Sequence, residues 1–353
     1  MDIKEKVKGL PSSPGVYLMK DSLNNIIYVG KSKNLKNRVG SYFINSKAHS
    51  PKILKLVKNL KDFDFVVTDT EFEAFILECK LIKDIKPAYN RLMKSPKSYK
   101  YVHINLNKEY PDFKIVDEIT SGDGMLYFGP YVSKSSPGKA VEGIKEFYKI
   151  LCSNDFKRKG SCLNHSLGLC VGLCVDVDDS KKNYYMDVIN KVINLLEGED
   201  SSILNEIEEA MRQASENFDF ERAAKYRDYL SFINYLVVGI KAVDFTEENK
   251  NIILVEYLDN ENIKIFFIKG NKVIFKEKDS LIKLTTLAQN IIKHYKKFNL
   301  NDGTFVGKNE VDEAQIIYNY INNKSDNLKF IVIPDEFISD AKYINREIKK
   351  LFE

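Results

Sequence analysis

Six side chains near the N-terminus have the types needed to hydrolyse a phosphodiester: Tyr17, Tyr28, Lys31, Arg38, Glu73 and Asn90. A phosphate under attack needs cations beside it. Arg38 offers a planar two-pronged donor and Lys31 a second charge. A divalent metal, Mg2+ or Mn2+, needs a hard oxygen ligand, and Glu73 can supply one carboxylate while water and phosphate fill the shell. One carboxylate points to a single metal ion rather than a pair. The attacking water needs a base. A phenol with a pKa of about 10 is protonated at neutral pH, but a metal or Lys31 nearby would favour its phenolate. Each residue alone has an ordinary alternative: strand tyrosines pack, lone cations are solvated, and a glutamate opening a helix serves its dipole. Their combination in one segment carries the reading.

A second set is Cys152, Cys162, Cys170 and Cys174, spaced C-x9-C-x7-C-x3-C. Four thiolates suit tetrahedral zinc or an iron–sulfur cluster, and the spacing does not choose between them. His165 lies within the run and could replace one thiol. Cys79 sits on an apolar helix pattern and reads as a small core residue.

The elements that must position these groups follow from periodicity. Gly15–Met19 and Ile26–Gly30 are short apolar runs joined by a polar turn, a β-hairpin signature. Residues 32–39 have helix character with Ser32 as N-cap. Residues 50–60 form a second helix, 63–67 a strand, and 71–85 a third helix stopped by Pro87. Strand 101–106 and helix 138–151 precede the loop-rich cysteine segment. Helix 181–198 and a helical hairpin over 201–238 come next. The tail reads as strands 252–258, 263–268 and 272–276, helix 280–298, a weak strand 304–306, helix 310–322 and strand 329–333, a ribonuclease-H-like order. Glu256 is the acid on its first strand, and helix 280–298 adds none after its opening loop, so the tail reads as non-catalytic. The fold class is therefore α/β multidomain: a small α/β unit (10–95), a linker and cysteine-rich segment (96–180), a helical hairpin (200–238) and a C-terminal α/β platform (240–353).

Composition agrees with a folded chain of two or three domains. The 353 residues are 44% hydrophobic and 29% charged, which argues against wholesale disorder. No apolar run approaches the roughly 18–20 residues of a membrane span, and the N-terminus has no secretory h-region. A cytoplasmic chain with reduced thiols is the expectation, because five cysteines without an export signal do not make a disulfide scaffold. The net charge of +4 hides an asymmetry: residues 1–100 hold 20 Lys/Arg against 10 Asp/Glu. A basic unit on an acidic body reads as a polyanion binder.

Gly15-Val16-Tyr17 followed by Tyr28-Val29-Gly30, with Lys31 through Arg38, Thr70 through Glu78 and Lys86-Pro87-Ala88-Tyr89-Asn90, resembles the GIY-YIG nucleases and in particular the UvrC/Cho excinuclease family. The resemblance implies Tyr17, Tyr28, Lys31 and Arg38 around the phosphate, Tyr28 as general base, Glu73 on the metal and Asn90 closing the site. Phe128-Gly129-Pro130-Tyr131 and the cysteine run resemble the same family's cysteine region, which implies a 4Fe-4S cluster in a structural or redox-sensing role. Glu216 through Asp228 resembles the UVR motif. That implies docking on UvrB through Phe218, Phe220 and Ala224, with damaged DNA as substrate. The end of the sequence, without the family's second nuclease and helix-hairpin-helix domains, leads to the expectation of a single incision. The competing reading is a non-hydrolytic UvrB-binding module that regulates or competes with full-length relatives. A mobile-element nuclease is disfavoured, since no appended sequence-reading DNA module is visible.

Overall fold

The computed structural model describes residues 3–44, 50–90, 93–94, 99–120, 122–131, 136–152, 160–175, 178–280, 286–298, 310–322 and 325–352. The chain divides into two compact units, Met1–Pro96 with Asp244–Glu353, and Lys97–Val243.

The first unit opens with α1 (Ile3–Lys8), β1 (Gly15–Lys20), β2 (Ile26–Ser32), α2 (Leu35–Ser41), α3 (Pro51–Asn59), β3 (Asp62–Val67) and α4 (Glu71–Ile85). The strands form an antiparallel sheet in the order β2-β1-β3. Asp21 ties the hairpin turn by accepting from the Leu23 and Asn25 N–H groups. Two glycines are dictated by close approach. A Cβ on Gly15 would run into the Val66 carbonyl and the Leu35 side chain, and one on Gly30 into the Tyr17 hydroxyl. The N-cap of α2 is Asn34, whose side chain accepts from Asn37 N–H at 2.9 Å. Ser32, expected as the cap, instead closes a local turn with Asn34, because its hydroxyl is still within β2. Thr70 caps α4 by accepting from Glu73 N–H at 3.1 Å.

The second unit contains β4 (Lys100–Asn105), β5 (Phe113–Val116) and β6 (Met125–Tyr131), a sheet of order β5-β4-β6, then α5 (Ser136–Phe147), α6 (Leu163–Ser166), α7 (Asp179–Glu197), α8 (Ser202–Glu216) and α9 (Phe220–Glu247). Its core joins Val102, Ile104 and Phe113 of the sheet to the apolar stripes of α5, α7, α8 and α9. The α8–α9 hairpin packs Ile203, Ile207 and Ile233 into that core, so it is built into the unit and not a free linker.

The tail returns to the first unit with β7 (Asn251–Tyr257), β8 (Asn262–Lys269), β9 (Lys272–Ser280), α10 (Leu287–Lys297), α11 (Val311–Ile321), β10 (Leu328–Ile333) and α12 (Ala341–Lys350). Its antiparallel sheet has the order β10-β7-β8-β9. The strand expected at 304–306 lies outside the described residues, and α12 was not anticipated. Both faces of this sheet are covered. Ile253, Val255, Ile265 and Phe267 face α10 and α12. Ile252, Leu254, Phe266 and Ile268 face α11 and Phe72 of α4. Alternation along β7 and β8 thus sorts apolar residues onto two buried faces. Helix α4 is consequently shared. Ala74 and Ile82 pack on Val16, Leu18 and Val29 of the N-terminal sheet, while Phe72 and Ile76 pack on the tail sheet.

Candidate functional site

The phenols come from the hairpin and the helix after it. Tyr17 on β1 pairs with Gly30, and Tyr28 on β2 pairs with Met19. The two rings stand 6.1 Å apart between centroids. A third phenol joins them: Tyr42 shares a hydroxyl–hydroxyl hydrogen bond of 2.9 Å with Tyr17. Leu35, Val39 and Tyr42 are all buried in the same core, the i, i+4, i+7 face of α2 and its C-cap, so the turn of the helix delivers Tyr42 to the site. Arg38 lies over the Tyr42 ring, 5.3 Å from its centroid.

The carboxylate that meets this group is Glu78. The Lys31 N–H donates to Glu78 Oε1 at 3.0 Å, and Glu78 is close enough to Tyr28 and Arg38 to act on them or be acted on by them electrostatically. Glu73, the acid expected at the metal, points elsewhere. Its Oε2 accepts from Asp69 N–H at 3.0 Å. Its Oε1 lies 2.8 Å from Lys276 Nζ and 3.2 Å from Lys264 Nζ, both on the tail sheet. The reason is helical rotation: five residues turn about 500°, which leaves the two glutamates about 140° apart around α4. Ala74, Glu78 and Ile82 make the i, i+4, i+8 stripe that faces β1 and β2. That stripe is the signal in the sequence that separates Glu78 from Glu73.

Lys31 and Asn90 are near the site with their side chains engaged. The Lys31 ammonium donates to Glu71 Oε1 at 2.8 Å and sits 3.3 Å from the Phe75 ring centroid. Asn90 is buried; its Oδ1 accepts from Val29 N–H at 3.0 Å and its Nδ2 donates to the Val29 carbonyl at 2.9 Å. It acts as an extra strand rung that holds β2 beside Tyr28.

Burial sets the proton affinities. Desolvation and the neighbouring phenols hold Tyr17 and Tyr28 well above the ordinary phenol value, with Arg38 opposing. For Arg38, burial works to lower the pKa, but the phenols outweigh it and the guanidinium stays charged. Desolvation raises Glu78, against the pull of the Lys31 N–H and of the Lys31 and Arg38 charges. A half-buried, acceptor-only carboxylate that a cation would relieve, within electrostatic reach of the Tyr28 phenol, fits a hard divalent ion in donor type.

In the second unit, Cys170 and Cys174 are buried and all four predicted cysteines are reduced. A hydrogen bond with Cys152 and burial push the Cys170 thiol up. Burial, then the thiols of Cys152 and Cys162, push up Cys174. Cys152, Cys170 and Cys174 are therefore within electrostatic reach of one another, and Cys162 is within reach of Cys174. Among the described residues no group of three or more His, Cys, Asp or Glu side chains is disposed to hold a metal. The His165 ring packs beneath Gly172, and its Nδ1 is 3.0 Å from the Ser161 hydroxyl. Cys79 is buried, as expected for a core residue.

At the α8–α9 turn, Phe218 and Phe220 are 80% and 64% exposed and meet edge to face at 6.2 Å. Phe218 has φ +60, and Asp219 Oδ1 caps α9 by accepting from Arg222 N–H at 3.1 Å. Ala224, one turn on, is partly buried. Glu256 is buried and accepts from the Tyr320 hydroxyl at 2.8 Å, inside the packing with α11. No helix among the described residues is long and apolar enough to cross a membrane.

Comparison with known proteins places these elements. The UvrC-like GIY-YIG domain matches residues 13–91, the UvrC/Cho excinuclease middle domain residues 99–195, and the UvrB/uvrC motif residues 201–236. The chain is 35% identical to the UvrABC system protein C of Alkaliphilus oremlandii, over 99% of this chain and 58% of the relative. It is 38% identical to that of Clostridium acetobutylicum, over 78% and 45%. The chain thus spans about half the length of the curated relatives it matches. The magnesium-bound crystal structure of the GIY-YIG N-terminal endonuclease domain of UvrC from Thermotoga maritima is 37% identical, covering 25% of this chain and 96% of that one, with a TM-score of 0.23.

Proposed function

The chain belongs to the UvrC/Cho excinuclease family, and on that premise we propose that its N-terminal site hydrolyses a DNA phosphodiester, making one incision beside a lesion after recruitment by UvrB. The observation that supports this most is the meeting of Glu78, Tyr28 and Arg38 around the end of the hairpin. Arg38, an exposed guanidinium held over the Tyr42 ring, binds the scissile phosphate and offsets its charge. The Tyr17–Tyr42 pair presents hydroxyl donors to the same phosphate. Tyr28 takes the proton of the attacking water. Its raised proton affinity means that its base form depends on cationic neighbours, of which Arg38 is one. Glu78, in place of Glu73, would hold Mg2+ or Mn2+, which when bound supplies Lewis-acid neutralisation of the phosphate charge. Asn90 keeps β2 straight behind the phenols.

The Cys152, Cys162, Cys170 and Cys174 thiols are proposed to hold a 4Fe-4S cluster, with zinc as the alternative. The proposed role is structural or redox-sensing, since they lie on a loop-rich segment that something other than an apolar core must order. Iron and zinc quantification with visible absorbance, on protein purified without oxygen, separates the two. Phe218 and Phe220, with Ala224 beside them, are proposed to dock on UvrB: exposed aromatic pairs on a capped turn are the kind of anchor that partners bury.

The deciding experiment supplies the UvrB–damaged-DNA complex with magnesium and this chain. Nicked strand is expected, and Tyr28→Phe should slow nicking by about a hundredfold or more. Absence of nicking, or an unimpaired Tyr28→Phe variant, would overturn the nuclease reading.

A further inference from the structure

We infer that Glu73 and Asp69 are positioning residues through which the tail sheet sets the placement of α4 and hence of Glu78; this rests on Glu78 being the carboxylate of the site. Helix α4 meets the N-terminal sheet through the apolar contacts of Ala74 and Ile82 and through Lys31, whose N–H reaches Glu78 and whose ammonium reaches Glu71. On its other side a second set of directional contacts ties both of its ends. At its N-terminal end, Lys264 Nζ lies 2.7 Å from Asp69 Oδ2 and 3.2 Å from Glu73 Oε1, and Lys276 adds a 2.8 Å contact to the same Glu73 oxygen. Within the same first turn, Phe72 is held edge-on to Phe266 at 4.9 Å and stacked on Tyr320 at 4.8 Å. At its C-terminal end, Lys83 pairs with Glu313 and, at 3.5 Å, with Asp312.

The N-terminal clamp is dry at its centre: the Glu73 and Lys264 side chains are 6% and 8% exposed. A buried ion pair of this kind adds little net stability, because desolvation offsets attraction, but it tolerates few geometries and so specifies register. Glu78 sits midway between the two clamped ends, and a single Lys31 N–H fixes its carboxylate. Rotation or translation of α4 by a fraction of a turn would carry that carboxylate away from Tyr28 and Arg38. The tail therefore contributes to the metal site without donating a ligand.

The test uses the full chain with Mn2+ as the probe, bound ion being measured by loss of the free-ion paramagnetic resonance signal. Glu73→Gln and Lys264→Met should each weaken Mn2+ binding by roughly fivefold, within the 2- to 30-fold range of coupling through packed elements. The magnesium midpoint for nicking should shift alike while KM for DNA stays unchanged. The double variant should be no weaker than either single one, since both cut the same clamp. Lys276→Gln, at a 56% exposed lysine, should give a smaller shift in the same direction and serves if the buried variants do not fold. Unchanged Mn2+ binding in these variants, with binding lost in Glu78→Gln, would overturn the inference alone. Undiminished binding in Glu78→Gln would overturn the site assignment beneath it.

Discussion

Two glutamates on one helix live in opposite surroundings. Glu73 faces a second sheet, where two lysines take up its charge. Glu78 faces the hairpin, where burial outweighs the Lys31 N–H and the Lys31 and Arg38 charges and leaves its charge undercompensated. The sequence places both in the same acidic, apolar run, and only the direction of the helix distinguishes them. The difference teaches that residue type nominates a ligand but helical phase assigns it. A carboxylate that is well paired in the resting protein is holding something together. One left raised by burial is poised to accept a cation.

The largest expected effect comes from removing the charge that remains undercompensated. Glu78→Gln should lower incision at saturating magnesium by about a thousandfold, whereas Glu73→Gln under the same saturation should stay within about tenfold of the parent. Equal losses in steady-state kinetics would erase the distinction. Next comes Gly30→Ala, which leaves both glutamates untouched but drives a methyl into the Tyr17 hydroxyl. A displacement of the phenols by about 1 Å should cost about a hundredfold in rate, with Mn2+ binding near normal. Stability should separate the pair in opposite directions in urea titrations at pH 7. Glu73→Gln should lose about 2 kcal/mol, less than for a fully enclosed pair because Lys276 is half exposed. Glu78→Gln should gain roughly 1 kcal/mol, as removal of a strained functional charge commonly does.

The smallest effect, and the sharpest discriminator, is the pH dependence of that gap. Lysine partners hold Glu73 below the usual carboxylate range against burial, which works to raise it. Its contribution is therefore full above the unfolded value of about 4.3 and is lost as pH falls through the lower folded value. Burial holds Glu78 above that range, so its cost is absent in acid and grows as pH rises from the unfolded through the folded value. The two variants should therefore converge in stability on acidification and separate towards neutrality. Parallel curves would show that neither charge is perturbed as described.

Local pattern made much of the fold readable. The α4 boundaries, 71–85, agree with the structure because Thr70 caps the start and Pro87 stops the continuation. The hairpin, the α8–α9 turn and the three tail strands were equally legible, because each has a turn cluster between periodic runs. Strands β5, which is short, and β6, which is mostly half-buried and interrupted by Gly129-Pro130, were not, nor was the continuation of α9 to Glu247. In the site, Tyr17 and Tyr28 stand 6.1 Å apart between ring centroids, and Arg38 lies over the neighbouring Tyr42 ring. Tyr42 carries a weaker mark in the sequence, because it falls beyond the last turn of α2, although Leu35 and Val39 share its face. Glu73 and Glu78 lie in the same resembling segment, and residue type alone fits either of them to a metal. The contacts that take Glu73 away are with Lys264 and Lys276, about two hundred residues distant. No local pattern announces a pairing of that range.

A helix greasy on two sides has a practical corollary for anyone who trims this protein. Cutting after residue 96 would strip Phe72, Ile76 and Cys79 of their cover and leave an oily stripe opposite the working cleft. Such a fragment would clump unless those positions were repainted with polar residues. Left whole, the N-terminal lobe and the tail should melt together, as one calorimetric peak.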